Sequence, residues 1–203
     1  MQGIVTPYLY TPPNTPSMYM PIATNILVVN MPPLGCIPAL LTVYGGKGME
    51  YDSYGCLKAL NDISKAHNKK LNDKVVALRK AYPHIKIVYG DGYAVYEDIL
   101  KDPRSYNVTA PLKACCGVGG AYNFNTKVTC GHAGLVDGKF VNLTMTLPLK
   151  PCTDEASVLS WDGIHTSNTF NRAAATAFLN GKHVSPDGGL NCSPDFTFWD
   201  ASS

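Results

Sequence analysis

The order of strand, long helix, strand and helix predicts an α/β protein built on a parallel sheet. Two short apolar runs carry that reading. Asn25-Ile26-Leu27-Val28-Val29-Asn30 is rich in β-branched residues, as is Ile85-Lys86-Ile87-Val88-Tyr89. Between them lies one long helical pattern, and a second helical pattern follows the second run.

Residues 1–24 are expected to be irregular, because Thr11-Pro12-Pro13-Asn14-Thr15-Pro16 suits neither a helix nor a central strand. The domain is expected over residues 25–203. The first strand reads as buried on both faces, as in a parallel sheet. It ends in the stiff loop Met31-Pro32-Pro33-Leu34-Gly35-Cys36-Ile37-Pro38. From about Tyr54 to Tyr82, Leu60, Ile63, His67, Leu71, Val75, Leu78 and Tyr82 form a stripe at helical spacing. Lys65, Lys69, Lys70, Lys74, Arg79 and Lys80 flank it. Asp62 and Asp73 are interspersed, so these cations read as a solvated face rather than an anion-binding one. His67 reads as a packed or rim histidine. Pro83 stops the helix.

Gly90-Asp91-Gly92 is the turn after the second strand, and Tyr93 to Leu100 reads as a helix. Ligands in such folds bind beyond the carboxyl ends of the strands, which places Asn30 to Leu34 and Asp91 to Tyr93 near any site. The segment from Gly131 to Cys152 shows little periodicity and reads as cover for the site side of the sheet. A last helix runs from about Thr169 to Asn180 and stops at Gly181, a C′ residue.

Composition excludes several classes. Hydrophobic residues make up 45% and charged residues 16%, which argues against disorder and against nucleic-acid binding. The net charge of +2 is too small to call for an acidic partner. No membrane-spanning run is present. Ala114-Cys115-Cys116-Gly117-Val118-Gly119-Gly120 lacks the lysine and the spacing of a phosphate loop. No cofactor or metal is expected.

Seven cysteines, with no Cys-x-x-Cys pair, read as disulfide staples rather than metal ligands. Cys36 and Cys56 flank one loop and suit a pair. Cys115, Cys116, Cys130 and Cys152 can pair among themselves in three ways. Sequons stand at Asn107-Val108-Thr109, Asn142-Leu143-Thr144 and Asn191-Cys192-Ser193. Cysteines and sequons together predict a secreted glycoprotein, although no signal peptide can be drawn over Met1 to Thr24.

The stretch with chemistry is Ser160-Trp161-Asp162-Gly163-Ile164-His165-Thr166-Ser167-Asn168. A carboxylate stands three residues before an imidazole, with a glycine between them to turn the chain. Thr166 and Ser167 offer an N-cap, and Phe170, Ala173, Ala174, Ala177 and Phe178 follow at helical spacing. Asp162 and His165 are therefore expected on a loop leading into a helix. There an aspartate can fix a histidine tautomer and stabilise the imidazolium.

Four stretches, in order, resemble the C-terminal half of the plant GDSL esterase/lipase family of SGNH hydrolases. They are Val28 to Pro38, the Ser64-x-x-His67-Asn68-x-x-Leu71 core of the long helix, Ala114-Cys115-Cys116-Gly117-Val118-Gly119, and Trp161-Asp162-Gly163-Ile164-His165. The resemblance implies a three-layer α/β/α fold and secretion. It also implies hydrolysis of carboxylic esters by a serine, with His165 as general base and Asp162 as its orienting partner. The substrate would be a small-molecule or lipid ester. The family's Gly-Asp-Ser-Leu nucleophile block and its oxyanion donors have no counterpart here. The resemblance therefore implies a partial domain whose N-terminal strands are missing, doubtful activity for the chain by itself, and poor solubility. The alternative is a non-catalytic secreted binding protein on the same scaffold.

Overall fold

The computed structural model describes residues 24–144, 152, 154–186 and 190. The expected irregular segment 1–24 lies outside them except for Thr24, as does the sequon at Asn191. Strands β1 (Asn25–Val29) and β2 (Lys86–Gly90) pair in parallel, from Asn25 opposite Lys86 to Val29 opposite Gly90. Helix α2 (Lys58–Ala81) makes the crossover between them. After β2 the chain turns into α3 (Gly92–Lys101), and α4 (Asn168–Leu179) packs beside it. A two-residue strand, β5 (Val184–Ser185), adds antiparallel to β2, so the sheet is mixed rather than wholly parallel. The α/β class and the βαβα order are as the sequence predicts.

Alternation along β2 sets three layers. Ile87 and Tyr89 cluster with Val75 and Leu71 of α2 on one face. On the other face, a side chain on Gly90 would meet the Phe178 ring of α4 at 3.0 Å. Tyr96, Ile99, Phe170, Ala174 and Phe178 fill the core between α3 and α4. Ser167 caps α4, accepting a hydrogen bond from the Phe170 N–H, and Gly181 follows it with a φ of +76°.

Three expectations need correction. First, β1 is not covered on both faces: Ile26, Leu27 and Val29 are exposed at 38–48%, because among the described residues only β2 pairs with it and only Val28 packs under α2. Second, only part of the stripe read on α2 faces inward: Val75 is buried and Leu60 and Leu71 are half-buried. Ile63, His67, Leu78 and Tyr82 are exposed, and the buried positions are Asn61, Ser64, Asn68 and Val75. The polar residues win because they meet backbone rather than apolar side chains. The Asn68 carboxamide accepts from Met31 N–H (3.0 Å) and donates to Met31 C=O (2.8 Å). Ser64 Oγ accepts from Leu34 N–H, and Asn61 Oδ1 accepts from Gly35 N–H at 2.9 Å. Third, Arg79 is not a solvated flank. It donates from Nε to Ile87 C=O at 2.8 Å and from its other arm to Ser185 C=O, tying α2 to β2 and β5.

Helix α2 also starts later than its pattern suggests. Asp52 Oδ1 accepts from the N–H groups of Tyr54 and Cys56, an aspartate turn that keeps residues 52–56 out of the helix. The Cys36–Cys56 disulfide holds that turn against the loop. Two elements went unread. The residues after the stiff loop coil into α1 (Pro38–Tyr44), with the loop's last proline at the first helical position. Asp137-Gly138, both at positive φ, turn the hairpin of β3 (Ala133–Val136) and β4 (Lys139–Asn142). The cover expected from Gly131 to Cys152 is described only through residue 144 and at Cys152.

Replacing Asn68 with Leu removes the hydrogen-bond partner of both the N–H and the C=O of half-buried Met31. It should cost about 1–3 kcal/mol, because the full penalty of roughly 1–3 kcal/mol for each orphaned group is reduced where water can reach. Urea unfolding checks this; a loss below about 0.5 kcal/mol would show that the carboxamide does not hold the loop.

Candidate active site

The loop bearing Asp162 and His165 is fixed before its side chains are considered. Ser160 pairs with Thr166 and Ala114 in isolated β-bridges. Trp161 N–H donates to His165 C=O at 2.8 Å, closing the loop on itself. Ser160 Oγ accepts from Gly163 N–H and donates to His165 C=O, filling the loop's centre. From one side, Cys115 N–H and Cys116 N–H donate to the carbonyls of Ser160 and Trp161. From another, Ala39 N–H in the first turn of α1 donates to Gly163 C=O at 3.0 Å, using a donor that a helix start leaves free. Disulfides Cys116–Cys130 and Cys115–Cys152 brace the cysteine loop, choosing one of the three possible pairings.

Gly163 has no substitute here. Its φ is +95°, and a Cβ would lie 2.3 Å from the Phe124 ring. Phe124 is buried with Ile37 and Ala39, so the loop rests on a packed apolar floor.

On this platform Asp162 Oδ2 sits 2.6 Å from His165 Nδ1. Asp162 Oδ1 accepts from the N–H groups of Ile164 (2.9 Å) and His165 (2.7 Å). The carboxylate is thus locked at both oxygens, and with a proton on Nδ1 the ring donates to it. Burial alone would raise the Asp162 pKa. The hydrogen bonds from the His165 ring, then from the backbone of His165 and Ile164, outweigh it and hold the carboxyl below its ordinary value. The His165 side chain is 76% exposed against 21% for Asp162. Nε2 makes no hydrogen bond among the described residues, and no serine or cysteine there reaches the ring. The arrangement can therefore accept a proton at Nε2 from a group brought to it, with the imidazolium stabilised from behind.

The strand ends predicted to lie near a site do converge. Asn30 Nδ2 donates to Asp91 Oδ1 at 2.7 Å, and Asn30 Oδ1 accepts from Tyr93 N–H. The loop leaving Asn30 runs through the α2 contacts to Ala39, which touches Gly163. The strand ends and the Asp–His loop thus share one support. Sequence reading missed Ser160, Phe124 and Ala39 as parts of the platform. Ser160 adjoins the Asp–His motif, but nothing local marks the other two. Among the described residues no cluster of three or more His, Cys, Asp and Glu suits a metal ion, and no helix is long and apolar enough to cross a membrane.

Two predictions follow from this geometry. Gly163→Ala combines a forbidden φ with a clash and should destabilise the protein by about 2–4 kcal/mol, seen as a lower urea midpoint. An unchanged midpoint would mean the loop has another conformation. The second concerns acid. The folded pKa of Asp162 lies below its unfolded value near 3.9, so its stabilising contribution is whole above about pH 5 and is lost as the pH falls through the folded value. Asp162→Asn removes that contribution, so its urea midpoint should fall less than the wild type's between about pH 6 and about pH 3. Parallel curves would contradict the depressed pKa.

The model of the GDSL-like Lipase/Acylhydrolase family matches residues 11–178. Three Arabidopsis thaliana proteins named GDSL esterase/lipase are similar to the chain. One is 37% identical over 173 residues, covering 84% of this chain and 44% of its own length. A second is 36% identical over 163 residues, covering 79% and 38%. A third is 34% identical over 173 residues, covering 84% and 40%. The chain spans about two fifths of the length of these curated relatives. A family match over most of the chain, reached independently of the Asp–His geometry, leads to one conclusion: the chain belongs to the GDSL-like lipase/acylhydrolase family.

Proposed function

We propose that the chain carries the acid–base half of a carboxylic ester hydrolase, with His165 as general base and Asp162 as its orienting partner. The observation that carries this is the 2.6 Å Asp162–His165 contact, with Nε2 left open to solvent. In the reaction, a serine hydroxyl attacks the ester carbonyl carbon as its proton passes to Nε2. The tetrahedral intermediate collapses, and the imidazolium returns the proton to the departing alcohol. Water then repeats the sequence on the acyl-serine, giving the acid and free serine. Asp162 stays ionised throughout, because its two backbone hydrogen bonds and the ring favour the carboxylate. The serine and the oxyanion donors would come from the family's Gly-Asp-Ser-Leu and oxyanion blocks, which have no counterpart in this sequence. The substrate class is a small-molecule or lipid ester. The relatives' names, GDSL esterase/lipase, support the reaction class. Three disulfides support folding in the secretory route, and the sequons fit it.

A chimera tests this reading. Residues 25–180 of this chain replace the matching stretch of the relative that is 37% identical, and hydrolysis of a short acyl ester is followed. The chimera should turn over, His165→Ala should lower kcat by roughly 10⁵–10⁶-fold and Asp162→Asn by roughly 10⁴-fold. Undiminished turnover by His165→Ala would defeat the assignment. The chain by itself should show no turnover that depends on His165.

A further inference from the structure

A groove of about 490 Å³ lies between α3, α4 and the short 3₁₀ turn Pro103–Tyr106, within the roughly 300–1,000 Å³ range of small-ligand clefts. It does not belong to the Asp162–His165 loop. None of residues 160–167 lines the groove, which opens at Thr169 in the first turn of α4 and runs along the helix to Asn180, Lys182 and His183 beyond its last turn. Its far end lies about 18 Å along the twelve-residue helix from that loop.

The groove exists because α4 presents small residues to it. Ala173 and Ala177, one turn apart, form the floor with Val95 of α3, and Tyr106 supplies a wall. Arg172 and Thr176 stand along α4 as hydrogen-bonding groups. An apolar floor with an aromatic wall and polar edges suits a pyranose, which has C–H faces and a rim of hydroxyls.

The same groove is lined by Asn107, the acceptor of the sequon Asn107-Val108-Thr109. Asn107 ends the 3₁₀ turn in the left-handed region at φ 58°, is exposed, and its carboxamide makes no hydrogen bond among the described residues. Asn142 differs. Its Oδ1 accepts from both the N–H and the hydroxyl of Thr144, and it stands on the β3–β4 hairpin.

We propose that Asn107 carries an N-linked glycan whose first sugars lie in the groove between α3 and α4. A glycan attached at the groove's own edge is held at high effective concentration and needs little intrinsic affinity to occupy it. The groove is thus a modification seat, and the half-exposed flank of α4 is covered by sugar rather than by protein. The proposal rests on the secretory route above, but not on ester hydrolysis.

The test expresses the full chain behind a heterologous secretion leader in a eukaryotic host. Occupancy at each sequon is read from glycopeptide masses, and endoglycosidase release is timed under native and denaturing conditions. Asn107 should be occupied, and its glycan should leave about tenfold more slowly from native than from denatured protein, equivalent to about 1.4 kcal/mol of seating. Ala173→Gln, which fills the floor with a good helix former, should raise the native rate at Asn107 towards the denatured one. If that variant fails to fold, the wild-type ratio of native to denatured rates decides. An empty Asn107 beside an occupied Asn142 overturns the proposal and leaves the secretory route standing. All sequons empty overturns both. Equal native and denatured rates, or no response to Ala173→Gln, overturn the seat.

Discussion

Hydrogen bonds from one polar row on α2 to one loop organise the rest of the molecule. Asn61, Ser64 and Asn68 recur at helical spacing and meet the backbone of Met31, Leu34 and Gly35. The loop satisfies only the Cys36 and Ile37 N–H groups from within, through the carbonyls of Pro33 and Leu34, and leaves those of Met31, Leu34 and Gly35 without a partner of its own. The helix supplies the missing partners. Each bond contributes about 1 kcal/mol net, and losing the buried one at Gly35 orphans its N–H at about 1–3 kcal/mol. Close approach is part of the design: a Cβ on Gly35 would lie 2.1 Å from Leu57 C=O. The Cys36–Cys56 disulfide then locks the far end of the loop to the turn before α2.

Fixing that loop fixes the Asp–His platform. Residues 38–44 can coil into α1 only from a defined start, and the first turn of α1 supplies the hydrogen bond to Gly163. Phe124 fills the space beneath, and the cysteine loop closes the other side. Asp162 and His165 therefore need no help from their exposed surroundings to keep their geometry. The loop is restrained through its backbone and the ring through the Asp162 carboxylate, while His165 Nε2 remains available.

Much of this was legible in the sequence, for identifiable reasons. The apolar runs at Ile26–Val29 and Ile87–Tyr89 gave the parallel pair, because β-branched residues between turn signals have few other uses. The cap at Ser167 and the stop at Gly181 bounded α4 within a residue or two. The Asp162–His165 contact was legible because three residues and a glycine turn can bring the two groups together. The stripe on α2 holds at Leu71 and Val75 but misses the N-terminal part of the inner face, because hydrophobic periodicity assumes that the buried partner is apolar. Here the partner is backbone, so Asn61, Ser64 and Asn68 lie inside and Ile63 outside. Asp137-Gly138 is a strong hairpin signal that was passed over between weakly alternating strands. Phe124 had no local signature, since its importance comes only from a long-range contact with Gly163.

The acid–base role proposed for His165 depends on Asp162 holding the ring proton on Nδ1. The most direct measurement is the ¹⁵N spectrum of the His165 ring, in selectively labelled protein at a pH where the ring is neutral. The account predicts a protonated Nδ1 and a bare Nε2, with the preference weakened in Asp162→Asn. A proton on Nε2 in the wild type would contradict it, because that tautomer has no lone pair facing the incoming hydroxyl.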